Sequence, residues 1–369
     1  MALHANRTRF AWMETPEERT RLEGLDARAG LAQALYRPLD TLPDAATVSL
    51  PDVLRGARQV MLETRARAAA FTAFTPVDDA VSRRVQAQYE SFPYPPWDAI
   101  AEATPTTFDG FIKARFPALD TRASAPRILS AGCGTGRGAI MLALTFPDAR
   151  ITALDLSRAS LAYAGLKAEQ HSANSISFDV GDILNVGAIG MSFDLIESSG
   201  VLHHMADPAA GLKALAGVLA PRGLMRVGLY SERGRKAVIA ARAVIAQHQL
   251  PDSAQGVREA RRVLQALPPT HPARGVIDTP EFFSLDGLHD LIFNVQESRF
   301  TPLGLKNLLN SAGLTFLGFD IADARITAAF AQQFHSADAA LDLDAWEAFE
   351  KNNADAFAEM YHLWCHKTA

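Results

Sequence analysis

The run Ile128-Leu129-Ser130-Ala131-Gly132-Cys133-Gly134-Thr135-Gly136-Arg137-Gly138 takes a short apolar stretch into glycines and then into a helix-like segment. Glycine lets the backbone approach a ligand closely. The start of a helix adds unpaired N–H groups and positive potential, so the turn suits a carboxylate or a phosphate. Gly134-x-Gly136-x-x-Ala139 also fits the looser dinucleotide pattern, so the loop alone leaves NAD and S-adenosylmethionine open, beside a plain glycine-rich turn. Asp155, followed by Leu156, ends the second apolar run, where a carboxylate accepts hydrogen bonds from both ribose hydroxyls. Asp182, in Gly181-Asp182-Ile183, stands just after the third run, placed to accept from an adenine amino group.

After the fourth run comes Glu197-Ser198-Ser199-Gly200-Val201-Leu202-His203-His204-Met205. A neutral imidazole takes a proton from an acceptor hydroxyl or amine, which makes His203 and His204 candidate bases. Adjacent histidines point differently, so one of the two also reads as structural. No ligand spacing nearby supports a metal, and none is expected. Tyr230, with Ser231 and Glu232, ends a fifth run and is a comparable candidate for the acceptor pocket, unless these residues simply begin an insertion.

The elements that must position these groups alternate between residues 127 and 230 in the manner of successive βαβ units. Strands are expected at Arg127 to Ala131, Arg150 to Leu154, Ser175 to Val180, Phe193 to Glu197 and Leu224 to Tyr230. Ser157 and Asp207-Pro208 are helix starts. Upstream, Thr15-Pro16-Glu17-Glu18 opens a helix, and a second runs from Asp52 to about Ala70. Two helices, Ala237 to His248 and Val257 to Leu267, read as an insertion, with a further helical stretch at Leu285 to Phe293. Thr301-Pro302 opens another helix that Gly313 ends. Leu314 to Phe319 is expected as the last strand, followed by a C-terminal helix carrying Trp346, Phe349, Phe357 and Trp364.

The Gly-Cys-Gly-Thr-Gly loop, the acid after strand two, the Gly-Asp after strand three and the Gly-Val-Leu-His-His stretch after strand four resemble, in order, the class I S-adenosylmethionine-dependent methyltransferases. The resemblance covers roughly residues 85 to 230 and resumes at 299 to 320. It implies an α/β fold: a Rossmann-like seven-stranded sheet with a helical N-terminal extension over 1–80 and a methyltransferase domain over 81–369. That domain would hold a helical insertion at about 231–298 and a C-terminal helix. It also implies that Gly132, Cys133, Gly134 and Gly136 wrap the methionine part of the cofactor. Asp155 and Leu156 would hold the ribose and Asp182 and Ile183 the adenine, with Ser198 beside them. Ser130 stands where many members have an acid, a place Glu197 could fill from the neighbouring strand. The segment Tyr89 to Trp97, with Phe92-Pro93-Tyr94-Pro95-Pro96, resembles a signature that precedes the catalytic domain in a bacterial subset. There Tyr89, Tyr94 and Trp97 would form either a lid over the cofactor or an aromatic clamp.

Composition bounds the rest. The chain has 369 residues, 48% hydrophobic and 21% charged, which is ordinary globular usage. Two distant cysteines argue against a disulfide framework or a zinc site. Residues 331 to 369 hold seven acids against two lysines and so account for the whole formal charge of −5, which disfavours nucleic acid as a partner. No stretch is long and apolar enough for a membrane span, and a cytosolic location is expected. A small-molecule methyl acceptor is the leading reading, with the insertion and the aromatic segment expected to enclose it together. A peptide or protein acceptor and a non-catalytic cofactor-binding protein are the alternatives, and the sequence leaves the oligomeric state open.

Overall fold

The computed structural model describes residues 1–367 apart from Met13, Ala27, Phe92, Pro96, 120–122 and Ser124. Two compact units emerge. One, comprising Phe71–Ser91, Trp97–Arg235 and Val295–Ala369, carries a seven-stranded sheet. Its strands are β1 (Arg127–Ala131), β2 (Arg150–Asp155), β3 (Ile176–Val180), β4 (Phe193–Ser199), β5 (Leu219–Tyr230), β6 (Leu314–Phe319) and β7 (Met360–Lys367), in the order β3-β2-β1-β4-β5-β7-β6. The first five are parallel, and β7 runs antiparallel between β5 and β6. The order reverses at β1, which opens a crevice at the carboxyl ends of β1 and β4, where ligands bind in such sheets.

Central parallel strands are covered on both faces and therefore read as apolar runs. Leu129, Ile196 and Met225 face a core shared with the helices Pro208–Val218, Pro302–Ser311 and Leu343–Asn352. The alternate residues Ile128, Leu195 and Leu224 face the helices Phe108–Arg115 and Arg137–Thr145.

The C-terminal segment corrects the sequence expectation. A helix does form over Leu343–Asn352 and carries Trp346 and Phe349, but the chain then turns into β7, so Leu314–Phe319 is not the last strand and Trp364 is not helical. Tyr361, Leu363 and Cys365 enter one core and Trp364 the other, the two-residue alternation of a strand buried on both faces. β5 also begins earlier than expected, at Leu219. A bulge, with Phe193 opposite Leu219 and Leu195 opposite Leu224, absorbs the Pro221-Arg222-Gly223 turn.

The second unit gathers Met1–Ala70, Phe92–Pro96 and Lys236–Asn294. The inserted helices Lys236–Gln247, Ala254–Ala266 and Leu285–Phe293 thus group with the N-terminal extension, whereas residues 71–80 group with the sheet, where Ala73 bridges Val180. Val238, Ala241, Val257, Ala260, Leu264 and Leu288 form the core of the inserted helices. Arg258 and Arg261 donate to the carbonyls of Phe10 and Ala11, both at 2.6 Å, and Arg9 pairs with Asp286 at 3.2 Å, which ties the first residues to those helices. Thr15 caps the helix Pro16–Glu23 as expected, and the Glu18 side chain accepts in turn from the Thr15 N–H, which makes the cap reciprocal. Among the described residues, no helix is long and apolar enough to cross a membrane.

Candidate active site

The three glycines after β1 all adopt left-handed backbone, with φ of +71° at Gly132, +52° at Gly134 and +84° at Gly136. At two of them the protein itself excludes a side chain. A Cβ on Gly132 would lie 2.4 Å from Val201 Cγ2, and one on Gly136 would lie 2.4 Å from Ala164 Cβ. The loop is also pinned through its main chain. The N–H groups of Gly132 and Cys133 donate to Leu154 O at 2.7 and 3.0 Å, and Trp97 Nε1 donates to Thr135 O at 3.1 Å. Trp97 is buried and stacks on His171. Gly136 opens the helix Arg137–Thr145 with no side-chain cap, which leaves the positive end of that helix uncapped by the chain. Burial, together with the carboxylates of Asp155 and Glu197, holds the Cys133 thiol well above its ordinary pKa, so it stays a small neutral group.

Asp155 ends β2 directly beneath the loop. Its Oδ2 accepts from Gly134 N at 2.7 Å and its Oδ1 from Ser157 N at 2.8 Å, which fixes the carboxylate plane while leaving each oxygen capacity for a further donor. Burial pushes its pKa up to about 6 against the opposing pull of those two backbone donors. The Gly181 N–H donates to Asp155 O at 3.0 Å, which brings the ends of β2 and β3 together. Asp182 follows, buried, its Oδ1 accepting from Leu184 N at 3.0 Å and its Oδ2 without a partner among the described residues. Ile183 is buried beside it. Ser198, on β4, is fully buried and its Oγ is likewise unpartnered.

The helix Ala80–Ser91 supplies contacts that no local sequence pattern announced. Gln86 Nε2 donates to Leu156 O at 2.8 Å. The Glu90 carboxylate accepts from the N–H groups of Arg158 and Ala159 at 2.8 and 3.1 Å, and Tyr89 O accepts from Ser157 Oγ at 3.1 Å. Phe74 lies against Gly181, where a Cβ would sit 2.0 Å from its ring. Glu197 stands between Ser130 and Arg226 across three neighbouring strands. Ser130 Oγ donates to its Oε2 at 3.4 Å and Arg226 approaches its Oε1 at 3.6 Å. Burial raises its carboxyl, and Arg226 opposes the rise.

The turn after β4 adjoins the glycine loop through the Val201 contact with Gly132. In it His203 and His204 are both buried, with their Nε2 atoms 3.1 Å apart. Tyr230, at the end of β5, stacks on His203 with ring centroids 3.6 Å apart, and the Arg235 guanidinium lies 3.6 Å from the centre of the same tyrosine ring. Ser231 is taken up structurally: its Oγ donates to Glu350 Oε1 at 2.9 Å, an oxygen that also accepts from Tyr361. Tyr94 belongs to the helical unit, where its hydroxyl donates to Glu281 at 3.3 Å, and Phe92 and Pro96 of the same signature lie outside the described residues. The loop, Asp155, Asp182 and the two histidines are thus carried by the carboxyl ends of adjacent strands of one unit.

Residues 123–266 match the family model described as a methyltransferase domain. The chain is 33% identical over 271 residues to an uncharacterised protein of Synechococcus sp., an alignment covering 69% of this chain and 63% of that protein. It is 36% identical over 129 residues to trans-aconitate 2-methyltransferase of Deinococcus radiodurans, covering 33% of this chain and 47% of the relative. The chain therefore spans less than two thirds of the length of either relative. Among solved structures, PKMT2 of Rickettsia typhi in complex with AdoHcy superposes with a TM-score of 0.53 at 15% identity, over 75% of this chain and 55% of that one, a likeness of fold.

Proposed function

We propose that the chain is a class I S-adenosylmethionine-dependent methyltransferase that transfers the methyl group of S-adenosylmethionine to a small-molecule acceptor, a reading supported by the match of residues 123–266 to a methyltransferase-domain model. The observation that carries the reading is the Gly134 N–H to Asp155 Oδ2 bond, which joins the glycine loop to an oriented carboxylate one strand away from the unpartnered Asp182 Oδ2. The residues fit the cofactor. Asp155 offers acceptor capacity for two ribose hydroxyls, Asp182 Oδ2 for an adenine amino group, and the uncapped helix start after Gly136 for a carboxylate. A buried acceptor without a partner costs about 1–3 kcal/mol, which a ligand donor relieves.

In this reading Leu156 and Ile183 flank the nucleoside, and Phe74 edges the adenine end. Ser198 and Glu197 lie beneath the loop, with Glu197 in the role of the acid missing at Ser130. Cys133 keeps the loop narrow. His203, His204 and Tyr230 border the acceptor side. When bound, the cofactor supplies a methyl group on a positively charged sulfur. The protein's own work is to align that methyl with a nucleophile and to keep water out. A small-molecule acceptor is favoured by the match to an enzyme named for trans-aconitate, and the same reading carries a cytosolic location and no nucleic-acid partner.

Titration calorimetry with S-adenosylhomocysteine tests the cofactor site. The wild-type chain is expected to bind it and Asp155→Asn to bind it at least about tenfold more weakly, as expected when hydrogen bonds to a charged group worth roughly 1.5–3 kcal/mol are weakened. Binding of NAD in place of S-adenosylhomocysteine would refute the proposal.

A further inference from the structure

The hydrogen bonds around the two histidines assign their protons. His204 Nδ1 lies 2.7 Å from Gln296 O, and a carbonyl only accepts, so that nitrogen carries hydrogen. In a neutral His204 the lone pair then resides on Nε2, which lies 3.1 Å from His203 Nε2 and must accept from it. His203 is thereby the Nε2–H tautomer, and its Nδ1 is a lone pair, buried and without a partner among the described residues. Protonating His204 would reverse the bond at the cost of burying a second cation near Arg235, which stacks on Tyr230 and pairs with Glu297 at 2.9 Å and Glu359 at 3.0 Å.

We propose that His203 Nδ1 is the general base of the methyl transfer and that the acceptor atom is a hydroxyl oxygen. The inference rests on the methyltransferase reading above. Hydroxyl oxygen is the nucleophile that needs this base. As the oxygen–methyl carbon bond forms and the carbon–sulfur bond breaks, with its electron pair staying on sulfur, the attacking O–H becomes strongly acidic. Its proton passes to Nδ1, giving an imidazolium that still donates from Nε2 to His204. A carboxylate acceptor carries no proton and would set its lone pairs against that of Nδ1. A neutral amine forms a stable ammonium product and gains little from a base in the transition state.

The groups facing His203 suit a base that starts neutral. His204 lies on the same turn, Tyr230 stacks on the ring from β5, and Arg235 lies beyond Tyr230, its charge countered by Glu297 and Glu359, with Arg299 on Glu297. Burial, then His204 and Arg235, hold the His203 imidazole well below its ordinary pKa. Ser298 N–H donates to His203 O at 2.7 Å and fixes the turn from the segment that carries Gln296 and Glu297.

The test uses the full-length chain labelled with ¹⁵N-histidine. Long-range ¹H–¹⁵N correlation, assigned with His203→Gln and His204→Gln, is expected to show His203 at neutral pH with Nε2 protonated and Nδ1 bare. A proton on His203 Nδ1 overturns the proposal. Tritium-labelled S-adenosylmethionine incubated with a bacterial small-molecule extract should give a base-stable methyl ether. His203→Ala should slow its formation by on the order of 100-fold, while S-adenosylhomocysteine binds within twofold of wild type and the remaining rate rises with hydroxide. A base-labile methyl ester, or turnover in His203→Ala within threefold of wild type, also overturns the proposal. Failure of the wild-type chain to bind S-adenosylhomocysteine would instead remove the methyltransferase reading itself, whichever tautomer is seen.

Discussion

Asp182 divides its labour between its two oxygens: Oδ1 closes the start of the turn at Ile183–Ile189 by accepting from Leu184 N, and Oδ2 is unpartnered among the described residues. Asp182→Asn separates the two roles. An amide keeps one acceptor for Leu184 and turns an NH₂ donor toward the position proposed for an adenine amino group, setting donor against donor. The expected result is a Tm within a few degrees of wild type and an affinity for S-adenosylhomocysteine lower by roughly 10–100-fold, in line with loss of a charge-assisted hydrogen bond. Equal affinity would remove Asp182 from the site. Gly136 behaves in the opposite way. With φ at +84° and Ala164 Cβ only 2.4 Å from where an alanine methyl would sit, Gly136→Ala should cost about 2 kcal/mol or more in folding stability, read by denaturant titration. At this scale the acids were legible from type and place, because a strand end followed by an acid is a local pattern. Packing against Val201 and Ala164 was not, since the resemblance assigned all three loop glycines to the ligand.

Among the elements, the parallel strands and their helices were readable because each is a short apolar run closed by a local signal. Ser157 caps the helix Arg158–Gln170 by accepting from Ser160 N, and Thr301-Pro302 opens the helix Pro302–Ser311, both as the sequence suggested. β7 was not readable. Its aromatic and apolar residues serve two cores at once, and the preceding helix Leu343–Asn352 invited continuation. Glu90 was also invisible, because its partners lie 68 and 69 residues away. Its carboxylate accepts from two free N–H groups in the first turn of the helix Arg158–Gln170, beside the Ser157 N–H that holds Asp155 Oδ1. Glu90→Ala should therefore cost about 1 kcal/mol of stability through the lost cap and also weaken S-adenosylhomocysteine binding, by loosening the turn that orients Asp155. A fall in Tm with unchanged affinity would confine Glu90 to the helix. The same packing explains why the segment before the sheet is a working part of the cofactor edge in this reading.

At the scale of the whole molecule, each unit buries a carboxyl whose proton is linked to folding. Asp155 in the sheet unit and Asp286 in the helical unit are both pushed up to about 6, chiefly by burial, with Arg9 opposing the rise at Asp286. An unfolded aspartate titrates near about 3.9. Between those values the folded chain holds a proton that the unfolded chain has released. The stabilisation this gives is present at low pH and lost as pH rises through 6. At neutral pH each carboxylate costs the folded state roughly 3 kcal/mol. Buried His203 and half-buried His362, whose imidazoles are held low, act in the other sense below about pH 6.5. The absolute pH slope is therefore a sum of opposed contributions, and the difference between variant and wild type isolates each one. Asp286→Asn should raise Tm at about pH 7.5, with a gain that shrinks as pH is lowered toward about 4; a lower Tm at the higher pH would mean that the Arg9 ion pair outweighs burial. Asp155→Asn should show the same dependence in the free protein but differ once S-adenosylhomocysteine is added. Ribose donors favour the Asp155 carboxylate, so the ligand-induced rise in Tm of the wild type should be largest above pH 6 and fade below it. Asp286→Asn should retain that rise and Asp155→Asn should lose most of it. A rise of equal size in both variants would place the nucleoside away from β2.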